Sequence, residues 1–388
     1  MASGFGASSP GAARPVLSED RRWSQERAGA VLTIDLAAVQ ANYRLLAAQA
    51  KASICAAVLK ADGYGLGADY VAPAIFAAGC RHFFVAHLDE GLELRPHLDA
   101  SATIYVLHGP LPGTEETFTE DGLIPVLNNL EQVDGWAGLA ERRGMRLPAI
   151  LQVDTGMSRF GLTFNDLERI ADTGNRLRGI ELRYLMSHLA SADEPADPAN
   201  AEQLVLFEAA RRLLPGVPAS LAASSGIFLG PQFHFDLVRP GAALYGVAPV
   251  PGAENPMRQV ARLQAKILQI RWIPQGAAVG YGGTYRAATP RRIATVPVGY
   301  ADGFLRSAGD RGSAFLDDIE LPIVGRISMD SITLDATGAP EDKLRPGAMV
   351  DLIGPRNPVD AVAQAAGTIG YEILTSLGHR YHRRYLGG

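Results

Sequence analysis

The sequence predicts an α/β fold, with an N-terminal (β/α)8 TIM-like barrel followed by a smaller, mainly antiparallel β domain. The first observation is an alternation of eight short apolar runs with helix-forming stretches over roughly 220 residues, compared with about 250 for a typical barrel. The second is that polar side chains end nearly every run. The third is a change near residue 250 to β-rich segments that Gly and Pro interrupt.

The N-terminal segment is small, polar and interrupted by Pro and Gly, so residues 1–30 are predicted to form a loosely ordered extension. Regular structure is predicted to start at Val31. Asp35 is a candidate N-cap, because apolar residues follow it at helical spacing, namely Leu36, Val39, Tyr43 and Leu46.

The eight apolar runs predict the buried parallel strands of a barrel domain over residues 31–253. They are ICAAVL, HFFVAH, TIYVLH, LIPVLN, AILQVD, LRYLMSH, SLAASS and FDLVRP. The polar residues at their downstream ends are Lys60, His87, His108, Asn128, Asp154, His188, Ser224, Ser225 and Arg239. Strand ends are where polar residues ordinarily begin, but in a parallel barrel these ends share the face on which active sites lie. The pattern therefore predicts a functional site on that face.

The stretch PVPGAENPMR predicts the joint between two domains. Beyond it, short strands are predicted in LQAKILQIRWI, RRIATVPVGY, IELPIVGRISMDSITL and AMVDLIG, and helical periodicity is largely absent until Ala361. Residues 254–388 are therefore predicted to form the small, mainly antiparallel β domain.

The overall composition argues against several classes of function. The 388-residue chain has a net charge of −5, which disfavours nucleic acid and anionic membranes as partners. No apolar run approaches the ~20 residues needed to span a bilayer. The two cysteines, Cys55 and Cys80, lie in no metal-ligand spacing and predict neither a metal site nor a disulfide framework. We expect a cytoplasmic protein.

Lys60 ends an apolar run and is followed at once by a glycine-rich loop, in AVLKADGYGLG. A solvated surface lysine is one interpretation. A phosphate-loop lysine is a second, but the Gly-Lys-Ser/Thr pattern of such loops is absent. The third is a Schiff-base lysine that holds pyridoxal phosphate and acts as nucleophile and base. The motif alone leaves all three open.

Seven motifs carry more information together than the lysine does alone. In chain order they are AVLKADGYGLG, VDTGMSRFG, SHLASAD, VRPGAALYG, VGYGGTY, PVGYADG and GRISMDS. From about Val31 to the C-terminus, the sequence resembles the alanine racemases, a family of barrel-type (fold-type III) enzymes that depend on pyridoxal 5'-phosphate. The resemblance implies an enzyme that interconverts L- and D-alanine and supplies D-alanine for peptidoglycan.

The resemblance also assigns the cofactor to residues of the barrel face. Lys60 would bind its aldehyde, and Arg239 would face the pyridine nitrogen, with His188 as a hydrogen-bonding relay between Arg239 and the cofactor. Arginine does not readily give up a proton, so the nitrogen should stay unprotonated and the ring should be a weaker electron sink, which disfavours transamination. Backbone and hydroxyl donors would hold the phosphate, from Tyr64, Ser225, Gly241 and Ala242.

Racemisation requires a proton to leave one face of the substrate Cα and return to the opposite face. Two bases on opposite faces achieve this directly. The resemblance makes Lys60 one base and Tyr281, in VGYGGTY, the other, while Tyr285 competes on sequence alone. Both groups have free pKa values of about 10, so each must be tuned downward to act as a base at neutral pH.

Further residues are implied on the substrate side. Arg159 would bind the substrate carboxylate, which a bidentate guanidinium suits. Met329 and Asp330 would line the substrate side, and Tyr300 would lie at the entrance. The last three residues and Tyr281 fall in the β domain, whereas Lys60 is on the barrel. The family's head-to-tail pairing therefore implies a homodimer with two shared sites.

Two positions depart from well-known members of the family. A lysine that is carbamylated in some of them, two residues before the DTGM aspartate, is Gln152 here. An ordinary amide or another group must then brace Arg159. A C-terminal phosphate-binding tyrosine of some members corresponds to His379 when counted from Tyr371, which makes His379 a predicted cofactor contact.

Four other functions fit part of the sequence. A racemase of serine, lysine or a broad range of amino acids fits the same motifs, because the sequence does not define the size of the pocket. A barrel-type pyridoxal-phosphate decarboxylase fits less well, since a carboxylate rather than Arg239 is expected at the ring nitrogen. A non-catalytic cofactor carrier would lack the β domain and Tyr281. A sugar-phosphate barrel enzyme fits the barrel pattern but not the seven motifs.

Overall fold

The structure is a computed structural model that describes residues 16–19, 24–173 and 175–387. Residues between 54 and 239 form a parallel barrel, and residues after 260 form mainly antiparallel sheets together with the N-terminal strands. Buried side chains from both regions belong to one continuous hydrophobic cluster. None of the described helices combines the length and the apolar character needed to cross a bilayer.

The N-terminal extension contains a strand. β1 (Val16–Glu19) pairs antiparallel with residues 384–386 at the edge of the antiparallel sheet. The strand differs from the loosely ordered extension that the sequence predicted. It forms because the free edge of a sheet can pair with the backbone of a neighbouring segment, even when the sequence of that segment has little strand propensity. Residues 25 and 26 are also held in place, since Lys266 Nζ donates to the carbonyls of Gln25 at 3.0 Å and Glu26 at 2.8 Å. Residues 1–15 and 20–23 lie outside the described residues.

β2 (Ala30–Asp35) falls within the range predicted for the barrel domain but pairs elsewhere. Its partners are residues 261–265, antiparallel, and residues 382–386, parallel. α1 (Leu36–Ala50) follows directly, and the predicted N-cap is confirmed, since the Asp35 carboxylate accepts a hydrogen bond from the Ala38 N–H at 3.0 Å. The predicted apolar face of α1 is buried, at Leu36, Val39, Tyr43 and Leu46.

The barrel is built from short parallel strands in chain order. β3 (Ile54–Cys55) and β4 (Ala57–Val58) are two halves of one extended segment. β4 begins a ladder of seven strands in which each pairs in parallel with the next. The others are β5 (His82–Val85), β6 (Thr103–Val106), β7 (Leu123–Leu127), β8 (Leu147–Gln152), β9 (Ile180–Met186) and β10 (Ala219–Ser220).

β11 (Leu237–Val238) closes the ring. It pairs in parallel with β3 on one side. On the other side, the N–H groups of Asp236 and Arg239 donate to the carbonyls of Ala219 and Ala222, at 3.0 and 2.9 Å. The eight predicted apolar runs therefore correspond to the strands of a closed parallel barrel, and the predicted fold class is confirmed.

Helices alternate with these strands. A short helical segment, α2 (Lys60–Gly65), follows β4. α6 shows how the sequence defines a helix, because the Asn129 side chain caps its first turn, Gly144 ends it in the left-handed conformation, and Trp136 lies on its buried face. The full set after α2 is α3 (Ala68–Ala77), α4 (Leu88–Leu94), α5 (Glu115–Glu120), α6 (Leu130–Arg143), α7 (Phe164–Thr173) and α8 (Ala199–Leu213).

The C-terminal region is dominated by short strands, with two helices near its end. Its strands before the helices are β12 (Ala261–Lys266), β13 (Gln269–Ile273), β14 (Ala278–Val279), β15 (Tyr285–Arg286), β16 (Arg291–Val296), β17 (Ser313–Leu316), β18 (Ile319–Pro322), β19 (Ile332–Asp335) and β20 (Met349–Ile353). They are followed by α9 (Val359–Ala366), α10 (Gly370–Ser376) and β21 (His382–Leu386).

The largest sheet of this region has the order β1-β21-β2-β12-β20-β17-β18, and within it β2 and β21 are the parallel pair. β13, β16 and β19 form a smaller antiparallel sheet, and β14 pairs with β15. The predicted mainly antiparallel β region is confirmed. α10 packs against α2, so the C-terminal region reaches the carboxyl ends of the barrel strands.

Candidate active site

A cavity of about 1090 Å³ opens at the carboxyl ends of the barrel strands. Eight residues predicted from the sequence line it, namely Lys60, Tyr64, Arg159, His188, Ser225, Arg239, Gly241 and Ala242. Five predicted residues do not line it in this chain, namely Tyr281, Tyr300, Met329, Asp330 and His379. Four of the eight, namely Lys60, His188, Ser225 and Arg239, follow barrel strands, and the other four were implied by the resemblance alone.

Lys60 follows β4 after one residue, Leu59, whose N–H donates to the Phe84 carbonyl at 2.8 Å. Burial lowers the pKa of the Lys60 amine, and the positive charge of Arg159 lowers it further, while the Glu90 carboxylate opposes both. A lowered pKa leaves more of the amine unprotonated at neutral pH. Lys60 is thereby suited to act as a nucleophile and as a base.

The segment after Lys60 is a left-handed turn. Four successive residues, Ala61 to Tyr64, have φ between 53° and 60°. For residues with a side chain this conformation costs about 1–2 kcal/mol each, and such strain concentrates at functional sites. The turn is held by the Asp62 carboxylate, which accepts from the Ala68 N–H at 2.8 Å, and by the Gly63 N–H, which donates to Leu59 at 2.8 Å. It places Tyr64 in the same cavity as Lys60.

Glu90 fixes the start of this turn. Its carboxylate accepts from the N–H groups of Ala61 (2.7 Å), Ala86 (2.7 Å) and His87 (3.1 Å). We expect Glu90→Ala to lower the free energy of unfolding by about 1–3 kcal/mol, because it removes the charged acceptor of three backbone N–H groups. We also expect it to weaken cofactor binding at least about tenfold, since the turn carries Lys60 and Tyr64.

The Glu90 prediction is checked by thermal unfolding of the protein and by titration of the apoprotein with pyridoxal phosphate. Glu93→Ala, on the exposed face of the same helix, is the matched control and should change neither quantity. Unchanged cofactor affinity in Glu90→Ala would show that the turn keeps its shape without the carboxylate.

Tyr64, Ser225, Gly241 and Ala242 meet at one end of the cavity. A Cβ atom on Gly241 would lie 2.2 Å from the Tyr64 hydroxyl, so only glycine allows this approach. The Ser224 hydroxyl accepts from the N–H groups of Gly241 (2.9 Å) and Ala243 (3.2 Å), and so holds the loop in place. Hydroxyls and backbone groups clustered in this way suit a phosphate.

Tyr371 completes this end of the cavity, and the sequence analysis missed it. Its ring lies 6.2 Å from that of Tyr64, and its hydroxyl interacts with Ser225. His379, the predicted contact, is exposed and does not line the cavity. No strand end or glycine loop marks Tyr371, which reaches the site only because α10 packs on the α2 turn. A Cβ on Gly65 would lie 2.5 Å from the Leu374 carbonyl.

Arg239 lies at the base of the cavity with only 3% of its surface exposed. Its guanidinium donates to the Ser220 hydroxyl, to the Ser187 carbonyl at 2.7 Å and to the Leu221 carbonyl at 3.4 Å. Burial lowers the pKa of Arg239 to about 9, so it is still charged at neutral pH. Among the described residues its hydrogen-bond partners are all uncharged, which leaves a buried positive charge facing the cavity.

His188 is neutral beside this cation. Its Nδ1 atom lies 3.3 Å from Arg239 Nη2, and because arginine can only donate, Nδ1 must accept and the ring proton must be on Nε2. Burial lowers the pKa of His188 to about 3, and Arg239, Arg159 and Lys60 contribute to the shift. The pair thus connects Arg239 to the cavity without adding a titrating group near pH 7.

The loop that carries Arg159 is rigidly anchored at its base. The Asp154 carboxylate accepts from the N–H groups of Gly156 and Met157, both at 2.9 Å, and of Ser158 at 3.1 Å. Gln152 is buried, and its Nε2 donates to the Phe160 carbonyl at 3.4 Å. In this structure, the amide of Gln152 therefore braces the backbone next to Arg159.

The family profile described as "Alanine racemase, N-terminal domain" matches residues 34–249, and "Alanine racemase, C-terminal domain" matches residues 260–385. This chain belongs to the alanine racemase family. It is 50% identical to an alanine racemase of Brucella canis over 372 residues, with 92% of this chain and 94% of the relative covered.

Two further alanine racemases show the extent of the similarity. A protein of Mesorhizobium japonicum named "Alanine racemase, catabolic" is 51% identical, with 94% of this chain and 95% of the relative covered. The crystal structure of alanine racemase from Bartonella henselae with covalently bound pyridoxal phosphate superposes with a TM-score of 0.89 at 43% identity. That comparison covers 92% of this chain and all of the other.

The C-terminal residues predicted from alanine racemase motifs lie on exposed loops of this chain. Tyr281 is 70% exposed, Met329 52% and Tyr300 42%. Arg380 links two of these loops, because its guanidinium donates to the Asp302 carboxylate at 2.6 and 2.9 Å and to Asp330 at 2.7 Å. His379 precedes this arginine, away from the Tyr371 end of the cavity.

Proposed function

We propose that this chain is a pyridoxal-phosphate-dependent alanine racemase that interconverts L- and D-alanine. The observation that carries the proposal is the cavity itself. It combines a lysine of lowered pKa, a buried uncompensated arginine and a hydroxyl-lined end where Gly241 leaves room. Family membership and the cofactor-bound Bartonella henselae relative support the same chemistry.

The residues present fit this cofactor. Lys60 would bind its aldehyde, and Arg239 would face the ring nitrogen as a donor that cannot protonate it. Its phosphate would be held by Tyr64, Ser225, Gly241, Ala242 and Tyr371. When bound, pyridoxal phosphate withdraws electrons from the α-carbon of an amino acid and so acidifies the α-proton.

The residues of the protein then have distinct tasks. Arg159 would bind the substrate carboxylate and orient the α-carbon. Lys60 would remove or return the α-proton on one face, and the Tyr281 hydroxyl would do so on the other. His188, held neutral, would keep Arg239 in place without competing for the proton. Two bases on opposite faces invert the centre without either of them crossing the substrate.

Tyr281 would come from a second copy of the chain. It is exposed and does not line the cavity, and the same is true of Tyr300, Met329 and Asp330. Four predicted substrate-side residues on one exposed C-terminal region support a head-to-tail homodimer, in which each C-terminal region completes the partner's cavity.

The test of the proposed activity is the optical rotation of L-alanine over time with purified, cofactor-loaded protein. Decay to zero is expected, since the two enantiomers have equal free energy and racemisation ends at equal amounts. Parallel reactions with L-serine and L-lysine test the other substrates that the motifs permit. Constant rotation with alanine but decay with another amino acid would reassign the substrate, and constant rotation with all of them would indicate a carrier.

Subunit mixing tests the shared site. Lys60→Ala and Tyr281→Ala chains should each be inactive, whereas an equal mixture should regain about a quarter of the wild-type activity. Half of randomly assorted dimers are mixed, and one of the two sites in each is intact. Verified heterodimers without any recovery would contradict the shared site.

We further propose that the D-alanine produced serves peptidoglycan synthesis. The catabolic name of the Mesorhizobium japonicum relative points to the alternative, namely consumption of D-alanine. Deletion of the gene in its host separates the two, because D-alanine auxotrophy is expected only for the synthetic role. The cytoplasmic location expected from the sequence stays a prediction.

A further inference from the structure

The loop that carries Tyr281 has little stiffness of its own. It connects β14 and β15, and three of its residues, Gly280, Gly282 and Gly283, have positive φ values of 73°, 74° and 56°. Glycine loops are conformationally permissive. A general base, however, must be held to within a fraction of an ångström. Something outside the loop must therefore fix its conformation.

The loop packs against a neighbouring segment of the same chain. A Cβ on Gly282 would lie 3.0 Å from Arg326 Nη1, and one on Gly325 would lie 2.7 Å from the Val279 carbonyl. The backbone of the loop therefore lies against the backbone of residues 325–326 and against the guanidinium of Arg326. The C-terminal end of the loop is Thr284, which directly precedes the β15 residue that pairs with Val279.

Asp310 ties that end to the same segment. One carboxylate oxygen accepts from the Thr284 hydroxyl at 2.8 Å, and the other accepts from the Gly325 N–H. Asp310 itself has a φ of 58°, a left-handed conformation that costs free energy for an aspartate. The two contacts of its carboxylate offset this cost. A single side chain thus bridges the Tyr281 loop and the surface on which it rests.

We propose that Asp310 and Thr284 form a clamp that positions the Tyr281 hydroxyl for proton transfer. The inference rests on the proposed function, because it assumes that Tyr281 is a base. Neither clamp residue touches the substrate, so both are positioning residues. A displacement of a catalytic group by about 1 Å costs on the order of 10²-fold in rate. Loss of the clamp should therefore lower kcat much more than substrate or cofactor affinity.

Four variants distinguish an effect of the clamp on catalysis from an effect on the general stability of the protein. Asp310→Ala removes both contacts, and Thr284→Val removes the hydroxyl at nearly constant shape. Asp310→Asn should recover most of the activity, since its oxygen can accept from Gly325 and its amide can donate to the Thr284 oxygen. Asp317→Ala is the matched control, because Asp317 is also an exposed aspartate with a left-handed backbone (φ 54°), in the nearby β17–β18 turn.

The experiment measures kcat and KM of the dimeric holoenzymes with both alanine enantiomers, together with α-deuterium isotope effects in each direction. We expect Asp310→Ala and Thr284→Val to lower kcat by about 10- to 100-fold, with KM changed less than about threefold. One enantiomer loses its α-proton to Tyr281 and the other to Lys60. The isotope effect should therefore rise for one enantiomer only, a result that general destabilisation would not produce.

Two outcomes would contradict the proposed clamp, and a third would contradict its premise that Tyr281 is a base. Wild-type kcat in Asp310→Ala and Thr284→Val, beside an inactive Tyr281→Phe, would show that the loop holds its shape unaided. A loss of activity explained by dissociation of the dimer, measured by sedimentation, would make the contact one of assembly. An active Tyr281→Phe would instead contradict the proposed second base.

Discussion

Replacing Lys60 by alanine is expected to lower kcat for alanine racemisation by on the order of 10⁴-fold or more. The residue has two tasks, covalent attachment of the cofactor and proton transfer on one face, and loss of a group that acts as nucleophile and base has effects of this size. Burial and Arg159 lower the pKa of its amine, so its chemistry depends on where it lies. Initial rates in both directions measure the effect.

Two measurements establish that the lost group is the amine rather than the fold. After borohydride reduction and denaturation, the cofactor should stay attached to wild type and separate from Lys60→Ala. A small primary amine added to the variant should restore part of the rate. Lys343→Ala, an exposed lysine paired with Asp317 in the C-terminal region, is the control and should behave as wild type. Full activity of Lys60→Ala would remove the central residue of the proposed mechanism.

Replacing Arg239 is expected to have the second largest effect, and to change the outcome of the reaction as well as its rate. Arg239→Gln should lower kcat by about 10²–10³-fold, a loss typical of removing one preorganised donor from a dry site. Arg239→Glu should in addition form up to one pyruvate per bound cofactor, which would take the amino group of alanine, because a carboxylate at the ring nitrogen favours its protonated form and strengthens the electron sink. Pyruvate is measured by coupled reduction with lactate dehydrogenase.

The electrostatic consequence for His188 is testable in the same variants. Arg239 is one cause of the lowered pKa of His188, with burial the first. Removing the positive charge should raise the pKa of His188, and adding a negative charge should raise it further. The acid limb of kcat should then move to higher pH. Arg239→Lys keeps the charge but loses the guanidinium fork, so it should form no pyruvate. Pyruvate formation by Arg239→Lys but not by Arg239→Glu would contradict the role of charge.

The strand-end pattern predicted more of the site than any single motif. Lys60, His188 and Arg239 follow apolar runs, and the barrel brings all three to one cavity. The same pattern also marked residues with structural tasks. Asn128 donates to the carbonyls of Leu107 and Val126, at 2.9 and 3.0 Å, and so fixes neighbouring strand ends. Strand position places a side chain on a face, but its neighbours decide whether it reaches the cavity.

Other features could not be predicted from local pattern. Nearly all of β2 falls in the range predicted for the barrel domain, yet its backbone pairs with β12 and β21. Nothing in the sequence around Tyr371 distinguishes it from an ordinary helix residue. It reaches the cavity only because α10 packs on the turn after Lys60. Counting along the chain indicated His379 instead, since sequence distance does not show which way a loop turns. For both β2 and Tyr371, the contacts that decide their position join residues more than 200 positions apart in the sequence.

The amino-acid sequence was sufficient to predict the strand and helix alternation, the change to β structure near residue 250, and the lysine and arginine at the strand ends. These follow from apolar periodicity and residue chemistry, which are local properties of the chain. The lowered pKa of Lys60, the lack of a charged partner for Arg239 among the described residues, and the contact of Asp310 with the Tyr281 loop arise only in the folded chain. Burial, charge and distance are collective quantities, because each depends on segments that only the folded chain brings together.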